Sequence, residues 1–96
     1  MPLQFEWDET KAKANVKKHK VRFDEASSVF SNTLAKIFFD PRHSQDEVRE
    51  IIVGESARGR VLLVSFTERG PDLVRIISAR VATKTERGAY EESEGG

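Results

Sequence analysis

The chain has 96 residues, in which 16 lysines and arginines balance 16 aspartates and glutamates. This length predicts one domain with a modest core. The absence of cysteine excludes disulfides and thiolate metal sites. No apolar run approaches the roughly 20 residues that cross a bilayer, and no segment has the pattern of a secretory signal. We therefore expect a cytoplasmic protein that does not bind membranes.

The charges are segregated along the chain although they cancel overall. One basic block contains no acid and comprises Lys11, Lys13, Lys17, Lys18, Lys20 and Arg22. A second block, residues 75–90, carries Arg75, Arg80, Lys84 and Arg87 against Glu86. A local cationic patch attracts phosphates even when the net charge is zero. Solvated charge on a surface strand and helix is the plainer interpretation of the same residues.

The N-terminal part predicts one short strand and two helices. Residues 3–6 alternate in the manner of a strand. Asp8 is a good N-cap for a helix over residues 9–19. The thin apolar stripe of this helix comprises Ala12, Val16 and His19. Apolar residues spaced by three and four predict a second short helix over residues 23–31.

The period then changes to two, which predicts a sheet. Four candidate strands cover residues 34–39, 48–54, 61–67 and 73–79. The third is apolar on both faces and is therefore expected to be central. Short glycine-containing connectors over residues 56–59 and 68–72 favour antiparallel hairpins, and residues 40–47 read as a polar loop.

The C-terminal part predicts a strand that leads into a capped helix. Thr83 followed by Glu86 forms a capping box, in which each side chain accepts a hydrogen bond from the backbone N–H of the other residue. Residues 91–96 contain no apolar side chain and predict a disordered acidic tail. The order β-α-α-β-β-β-β-α predicts an α+β fold over residues 1–90: a curved antiparallel β-sheet with two N-terminal helices and a C-terminal helix.

Motifs over residues 5–91 together resemble one family, the BrnT toxins (DUF497). Its N-terminal signature resembles Phe5-Glu-Trp-Asp8, Lys11, Asn15, Lys18-His19, Val21, Phe23, Ala26 and Val29-Phe30. Its C-terminal signature resembles Ile52-Val-Gly-Glu-Ser56, Gly59-Arg60, Thr67-Glu-Arg69 and residues 75–90. The resemblance implies a single RelE-like toxin domain, and an endoribonuclease that inhibits translation by cleaving RNA. It also implies a BrnA-like ribbon-helix-helix antitoxin, expected in a complex with two copies of each chain. Operator DNA would then be bound only through the antitoxin.

Cleaving RNA without a metal requires a base for the 2′-OH proton, cations for the pentavalent phosphate and an acid for the leaving 5′-oxygen. The sequence shows no metal-ligand spacing, so we expect no cofactor. Arginine offers a planar fork that matches phosphate, and the candidates are Arg60, Arg75 and Arg80. Strand parity puts Arg75 and Arg80 on opposite faces unless a bulge intervenes. We favour Arg80, which is nearest the helix junction.

Two further side chains complete the candidate catalytic set. His19 exchanges protons near neutral pH, but it would equally close the first helix at its C-terminus. Tyr90 would stack on a base or donate to a leaving group, but it would equally anchor the last helix on the sheet. The candidate RNA-binding residues are Lys11, Lys17, Lys18, Lys84 and Arg87. We expect His43 and Glu68 to be solvated and Trp7 to pack ahead of the first helix.

Two classes of function remain open from the sequence. One is a ribonuclease toxin. The other is a non-catalytic module that binds nucleic acid or an antitoxin within a repressor complex. The same cations serve an RNase site and a docking patch, so the sequence does not separate the two.

Overall fold

The computed structural model describes residues 3–41 and 47–95. Its elements run β1 (Gln4–Glu6), α1 (Glu9–His19), α2 (Phe23–Ser28), a 3₁₀ turn (Val29–Ser31), β2 (Lys36–Phe39), β3 (Glu50–Glu55), β4 (Val61–Gly70), β5 (Leu73–Val81) and α3 (Lys84–Gly95). The predicted α+β order is confirmed. His43 lies outside the described residues, as does most of the predicted polar loop.

The five strands form one sheet in the order β1-β5-β4-β3-β2. Strands β2 to β5 are antiparallel neighbours, as predicted, and β4 is central. The first strand differs, since β1 runs parallel to β5 with Phe5 opposite Val74. The sheet is therefore mixed. Its parallel pair follows from topology: β1 and β5 are far apart in sequence, so no tight hairpin forces them to be antiparallel.

One face of the sheet carries the core. Its buried cluster comprises Val21, Phe23, Ala26, Val29, Ile52, Leu62, Val64, Phe66, Val74, Ile76 and Ala79. Three aromatic rings pack in sequence on this core. The ring centroids of Phe5 and Phe30 are 5.2 Å apart, and those of Phe30 and Phe66 are 5.0 Å apart. Trp7 packs edge-on against Phe23 at 5.9 Å, as expected for a residue that precedes a helix.

Helix α1 is attached to the sheet by a buried polar residue in addition to part of its predicted apolar stripe, since Ala12 packs against the core. Asn15 is the buried position of the helix, while Val16 remains 39% exposed. The Asn15 amide donates to the carbonyls of Val21 and Ala79 (2.9 and 2.8 Å) and accepts from the Ala79 N–H (3.1 Å). Beyond the end of β1, Asn15 thus replaces a neighbouring strand along β5.

Helix α3 begins at the predicted capping box. The Thr83 N–H donates to Glu86 (2.9 Å), and the Glu86 N–H donates to the Thr83 hydroxyl (3.1 Å). The helix continues to Gly95, although the sequence analysis predicted a disordered tail from residue 91. Glutamate has high helix propensity, so the polar composition does not stop the helix.

A bulge in β5 decides where the two arginines of this strand point. Phe66 pairs with Ile76, while Ser65 pairs with Ser78, so Ile77 has no opposite residue. One extra residue reverses the parity of the strand. Arg75 and Arg80 therefore lie on the same face, which we call the open face because it lies opposite the core.

Candidate functional site

The open face of the sheet holds a depression of about 250 Å³. Its residues come from the end of α1 and from three strands: His19, Ile51, Leu63, Ser65, Ser78, Ala79 and Arg80. Two residues predicted from separate basic blocks, His19 and Arg80, are thus brought together. The depression lies beside Asn15, whose hydrogen bonds hold the last turns of α1 against β5.

Arg80 is fixed by a two-pronged ion pair with Glu86. Its Nη1 and Nη2 atoms each lie 2.8 Å from one carboxylate oxygen. Hydrogen bonds from the Arg80 side chain, together with one from the Thr83 N–H, lower the pKa of the Glu86 carboxyl to about 2. The same bonds to Glu86 raise the pKa of Arg80. Both groups stay charged at neutral pH. Glu86 is therefore a weak base, and its role is to orient the Arg80 guanidinium.

Three polar side chains in the depression have no hydrogen-bond partner within residues 3–41 and 47–95. The His19 ring and the hydroxyls of Ser65 and Ser78 make no hydrogen bond or ion pair to any other residue of the described ranges. The polar atoms of these three side chains are not buried away from water. Unpaired ones beside an arginine are available to a bound ligand, with imidazole able to exchange a proton and hydroxyls able to donate or accept hydrogen bonds.

A second, apolar groove of about 310 Å³ adjoins the depression. It lies between the open face and α3, and its residues are Lys36, Phe38, Ile51, Val53, Leu63, Glu86, Ala89 and Tyr90. Ile51 and Leu63 line both hollows, so the two adjoin on the open face, and we call them together the groove. Tyr90 is 7% exposed and its hydroxyl donates to the Leu34 carbonyl (3.3 Å). This contact anchors α3 on the sheet.

Arg60 and Arg75 lie outside this groove. Arg60 forms two hydrogen bonds to Glu25, whose side chain is 5% exposed, and a third to the Lys20 carbonyl (3.2 Å). The Arg60 side chain is the main cause that lowers the pKa of the Glu25 carboxyl. Arg75 pairs with Glu6 at 2.9 Å across the parallel strands. Both arginines join elements of the fold.

The candidate RNA-binding cations lie on helices α1 and α3, and none of them lines the groove. All of them are exposed: Lys11, Lys17, Lys18, Lys84 and Arg87. Lys17 and Lys18 precede His19 in the last turn of α1, where cations also complement the helix dipole. Lys84 begins α3, three residues after the strand that carries Arg80.

The sequence did not predict two of the residues in the depression, Ser65 and Ser78. It also did not predict that Glu86 orients Arg80. Ser65 interrupts an apolar strand, which is a weak signal that its face is not core. Its pairing with Ser78 depends on the bulge and was not readable from spacing. Glu86 was recognised as a capping residue, but not as the partner of Arg80.

Residues 3–41 and 47–95 contain no group of three or more histidine, aspartate or glutamate side chains placed to hold a metal. No helix among them is long and apolar enough to span a bilayer.

The fold and groove define a small α+β protein in which an arginine of the sheet, a histidine of the first helix and apolar side chains meet on the open face. Residues 7–86 match the family model described as "Ribonuclease toxin, BrnT, of type II toxin-antitoxin system". The 1.1 Å crystal structure of the Brucella abortus ribonuclease toxin BrnT is similar to this chain, with a TM-score of 0.66 and 27% identity, covering 85% of this chain and 99% of that one. A search of curated proteins finds no match. The chain belongs to the BrnT family of ribonuclease toxins of type II toxin–antitoxin systems.

Proposed function

We propose that this chain is an endoribonuclease toxin that inhibits translation by cleaving RNA, without a metal ion, in the depression between His19 and Arg80. The observation that carries the proposal is the convergence of these two residues with two unpaired serines. His19 lies at the end of α1 and Arg80 near the end of β5, and these two elements are far apart in the sequence.

The proposed reaction is an in-line transfer within the RNA. The 2′-oxygen attacks the adjacent phosphorus while its proton passes to a base, and the bond from phosphorus to the 5′-oxygen breaks as that oxygen gains a proton. The products are a 2′,3′-cyclic phosphate and a free 5′-hydroxyl. His19 carries out one of the two proton transfers, and a solvent molecule carries out the other. Arg80 stabilises the charge on the pentavalent phosphate.

Glu86 influences how Arg80 meets the phosphate. It occupies two nitrogens of the guanidinium, so the phosphate approaches the remaining N–H groups or displaces the carboxylate. The exposed Lys17, Lys18 and Lys84 draw the RNA backbone towards the groove. A base that enters the apolar part meets Phe38 on the edge strand.

The activity prediction uses variants of the purified chain on a labelled RNA. We expect Arg80→Ala to lower the cleavage rate about 10²–10³-fold, as for loss of one transition-state donor. His19→Ala should lower it about 10²-fold or more. Lys13→Ala is the control, since Lys13 is exposed on α1 and does not line the groove. Glu86→Gln keeps a side chain that can serve the capping box and reports on the orientation of Arg80.

Three outcomes would contradict this proposal. They are full activity in both Arg80→Ala and His19→Ala with native circular dichroism, loss of cleavage on addition of a chelator, and products that lack the cyclic phosphate. Growth arrest on expression, relieved by Arg80→Ala, provides the matching test in cells.

A second candidate is a non-catalytic module that binds nucleic acid or an antitoxin as part of an autorepressor complex. The observation that favours it is the ion pair with Glu86, which already neutralises Arg80. Under this alternative the purified wild-type chain leaves RNA intact and does not arrest growth, but still forms a stable complex with its antitoxin.

The antitoxin prediction concerns how the groove is covered. We propose a BrnA-like ribbon-helix-helix antitoxin that inserts apolar side chains into the groove, in a complex with two copies of each chain. Buried apolar contacts would dominate the affinity, and the exposed lysines of α1 and α3 would speed encounter with an acidic segment. We expect Leu63→Lys, in the centre of the groove, to weaken the complex at least about tenfold. Val16→Lys adds the same charge outside the groove and should have little effect.

Co-expression with the product of the adjacent gene, followed by size-exclusion chromatography with light scattering, measures the complex and its mass. Separate elution of the two proteins at micromolar concentration would count against the proposal. Equal weakening by the two lysine variants would place the interface elsewhere.

A further inference from the structure

Strand β2 forms one edge of the sheet and is unusually apolar for an edge. It pairs with β3 and has no second neighbour among the strands of the described residues. Its residues Ile37, Phe38 and Phe39 are 55%, 55% and 59% exposed. Natural edge strands are normally protected by charge, proline or a covering element. Three consecutive exposed large apolar residues on an edge therefore indicate an interaction surface.

The hydrogen-bond pattern determines which backbone groups point outward. The Asp40 N–H donates to the Arg49 carbonyl at 2.9 Å. Bonded pairs alternate along antiparallel strands, so the next bonded pair in this register is Phe38 with Ile51. The N–H and C=O groups of Ile37 and Phe39 therefore point away from β3. They have no hydrogen-bond partner among the described residues.

The strand is complementary to itself when reversed about Phe38. Lys36 and Asp40 each lie two residues from Phe38 and, by alternation, on the same face. In an antiparallel pairing centred on Phe38, Ile37 of one copy is opposite Phe39 of the other, and these are the residues with outward N–H and C=O groups. Lys36 of one copy is then opposite Asp40 of the other, on both sides of the axis. Opposite charges facing each other across strands stabilise the pair, and like charges destabilise it.

We propose that two copies of this chain associate through β2, in an antiparallel pairing centred on Phe38. The two five-stranded sheets join into one continuous sheet about a two-fold axis perpendicular to it. Such an axis leaves both open faces on the same side. The two grooves then lie side by side, which presents a paired surface to a two-fold symmetric partner. This association does not depend on the proposed nuclease activity.

A charge swap at the strand ends tests the pairing in the full chain. Lys36→Asp places two aspartates opposite Asp40 residues, and Asp40→Lys places two lysines opposite Lys36 residues. Each single variant should raise the dimer dissociation constant at least about tenfold, because both symmetric pairs change from attraction to repulsion. The double variant Lys36→Asp with Asp40→Lys restores opposite charges and should recover most of the affinity. Lys13→Glu is the control for a charge change elsewhere.

Analytical ultracentrifugation gives the dissociation constants, and circular dichroism checks that each variant is folded. Amide hydrogen exchange supplies a site-specific measurement. The N–H groups of Ile37 and Phe39 should become protected as the protein concentration rises, while those of Phe38 and Asp40 are protected already in the monomer.

The proposal is overturned if the wild type remains monomeric up to millimolar concentration. It is also overturned if a dimer forms but the double variant is as weak as the single ones, since the register would then differ. Protection of Ile37 and Phe39 that appears only with the antitoxin would assign the edge to that partner instead.

Discussion

At the scale of single residues, two similar ion pairs have different consequences because their burial differs. Arg60 and Arg80 each bind a glutamate with two nitrogens. The Glu25 side chain is 5% exposed, whereas Glu86 is 34% exposed at the rim of the groove. A buried carboxylate depends on its partner for charge compensation. In the half-exposed pair, Arg80 can exchange the Glu86 carboxylate for a bound ligand.

Replacing Arg60 should therefore cost stability rather than chemistry. We expect Arg60→Met to lower the free energy of unfolding by about 3 kcal/mol, because Glu25 would remain buried with an uncompensated charge. The Ser56 hydroxyl, 2.7 Å from the Glu25 carboxylate, retains part of the compensation. Urea unfolding measures the loss. The RNA cleavage rate per folded molecule should change little.

Arg58→Met is the matched control for this prediction. Arg58 lies 3.9 Å from the same carboxylate but is 69% exposed, so its loss should cost less than about 0.5 kcal/mol. Equal losses in the two variants, or a cleavage rate per folded Arg60→Met molecule that falls as far as that of Arg80→Ala, would show that Arg60 has another role.

At the scale of elements, the space around two glycines differs between the sheet and the last helix. Gly54 on β3 lies against the segment before β2. A Cβ atom there would come within 2.8 Å of the Ala35 Cβ and 3.1 Å of a Val29 methyl. Gly88 in α3 differs, since a Cβ atom there meets nothing within 4 Å.

The two glycines predict opposite effects of the same substitution. Gly54→Ala should destabilise the fold by about 1–3 kcal/mol, because the backbone of the neighbouring segment must move. Gly88→Ala should stabilise it by about 0.5–1 kcal/mol, because alanine favours the helix. Thermal unfolding of both variants beside the wild type measures the difference. A destabilised Gly88→Ala variant would contradict the open surroundings of that position.

At the scale of the whole molecule, the acidic and basic side chains are equal in number but differ in their structural roles. Exposed lysines lie on α1 and α3, while two glutamates hold arginines in place. The hydrogen bond from Arg60 lowers the pKa of Glu25, and the hydrogen bonds from Arg80 lower that of Glu86 to about 2. Glu50 shows the reverse, since burial and the nearby Glu68 raise its pKa.

Acid should therefore destabilise the protein in a window set by the lowered pKa values. A carboxyl with a lowered pKa stabilises the fold fully above its unfolded value, and that stability is lost as the pH falls through its folded pKa. For Glu86 the window runs from about 4.5 down to about 2. Its side chain is one-third exposed, so we expect screening to leave about 1–2 kcal/mol of this stabilisation.

The comparison with Glu86→Gln isolates this contribution. Urea unfolding at a series of pH values should show a difference between wild type and variant that is constant above pH 5 and shrinks towards pH 2. A difference independent of pH would mean that the ion pair does not supply the stability. Glu50 acts in the opposite direction and is common to both proteins.

The sequence by itself determined the features that depend on neighbours along the chain. Asp8 and the Thr83–Glu86 box located the starts of two helices, and the change of period located the sheet. These features depend on local hydrogen bonding and on alternation, which a sequence displays directly. The motifs of residues 5–91 also identified the family.

Only the tertiary structure decided what depends on partners distant in sequence. The bulge at Ile77 turned Arg75 and Arg80 to one face, the side chain of Asn15 bonded α1 to β5, and β1 paired parallel to β5. An arginine also carries the same charge in a buried pair and at the rim of a groove. Its role follows from which carboxylate the fold places beside it and how much water remains there, because burial sets the cost of an unpaired charge.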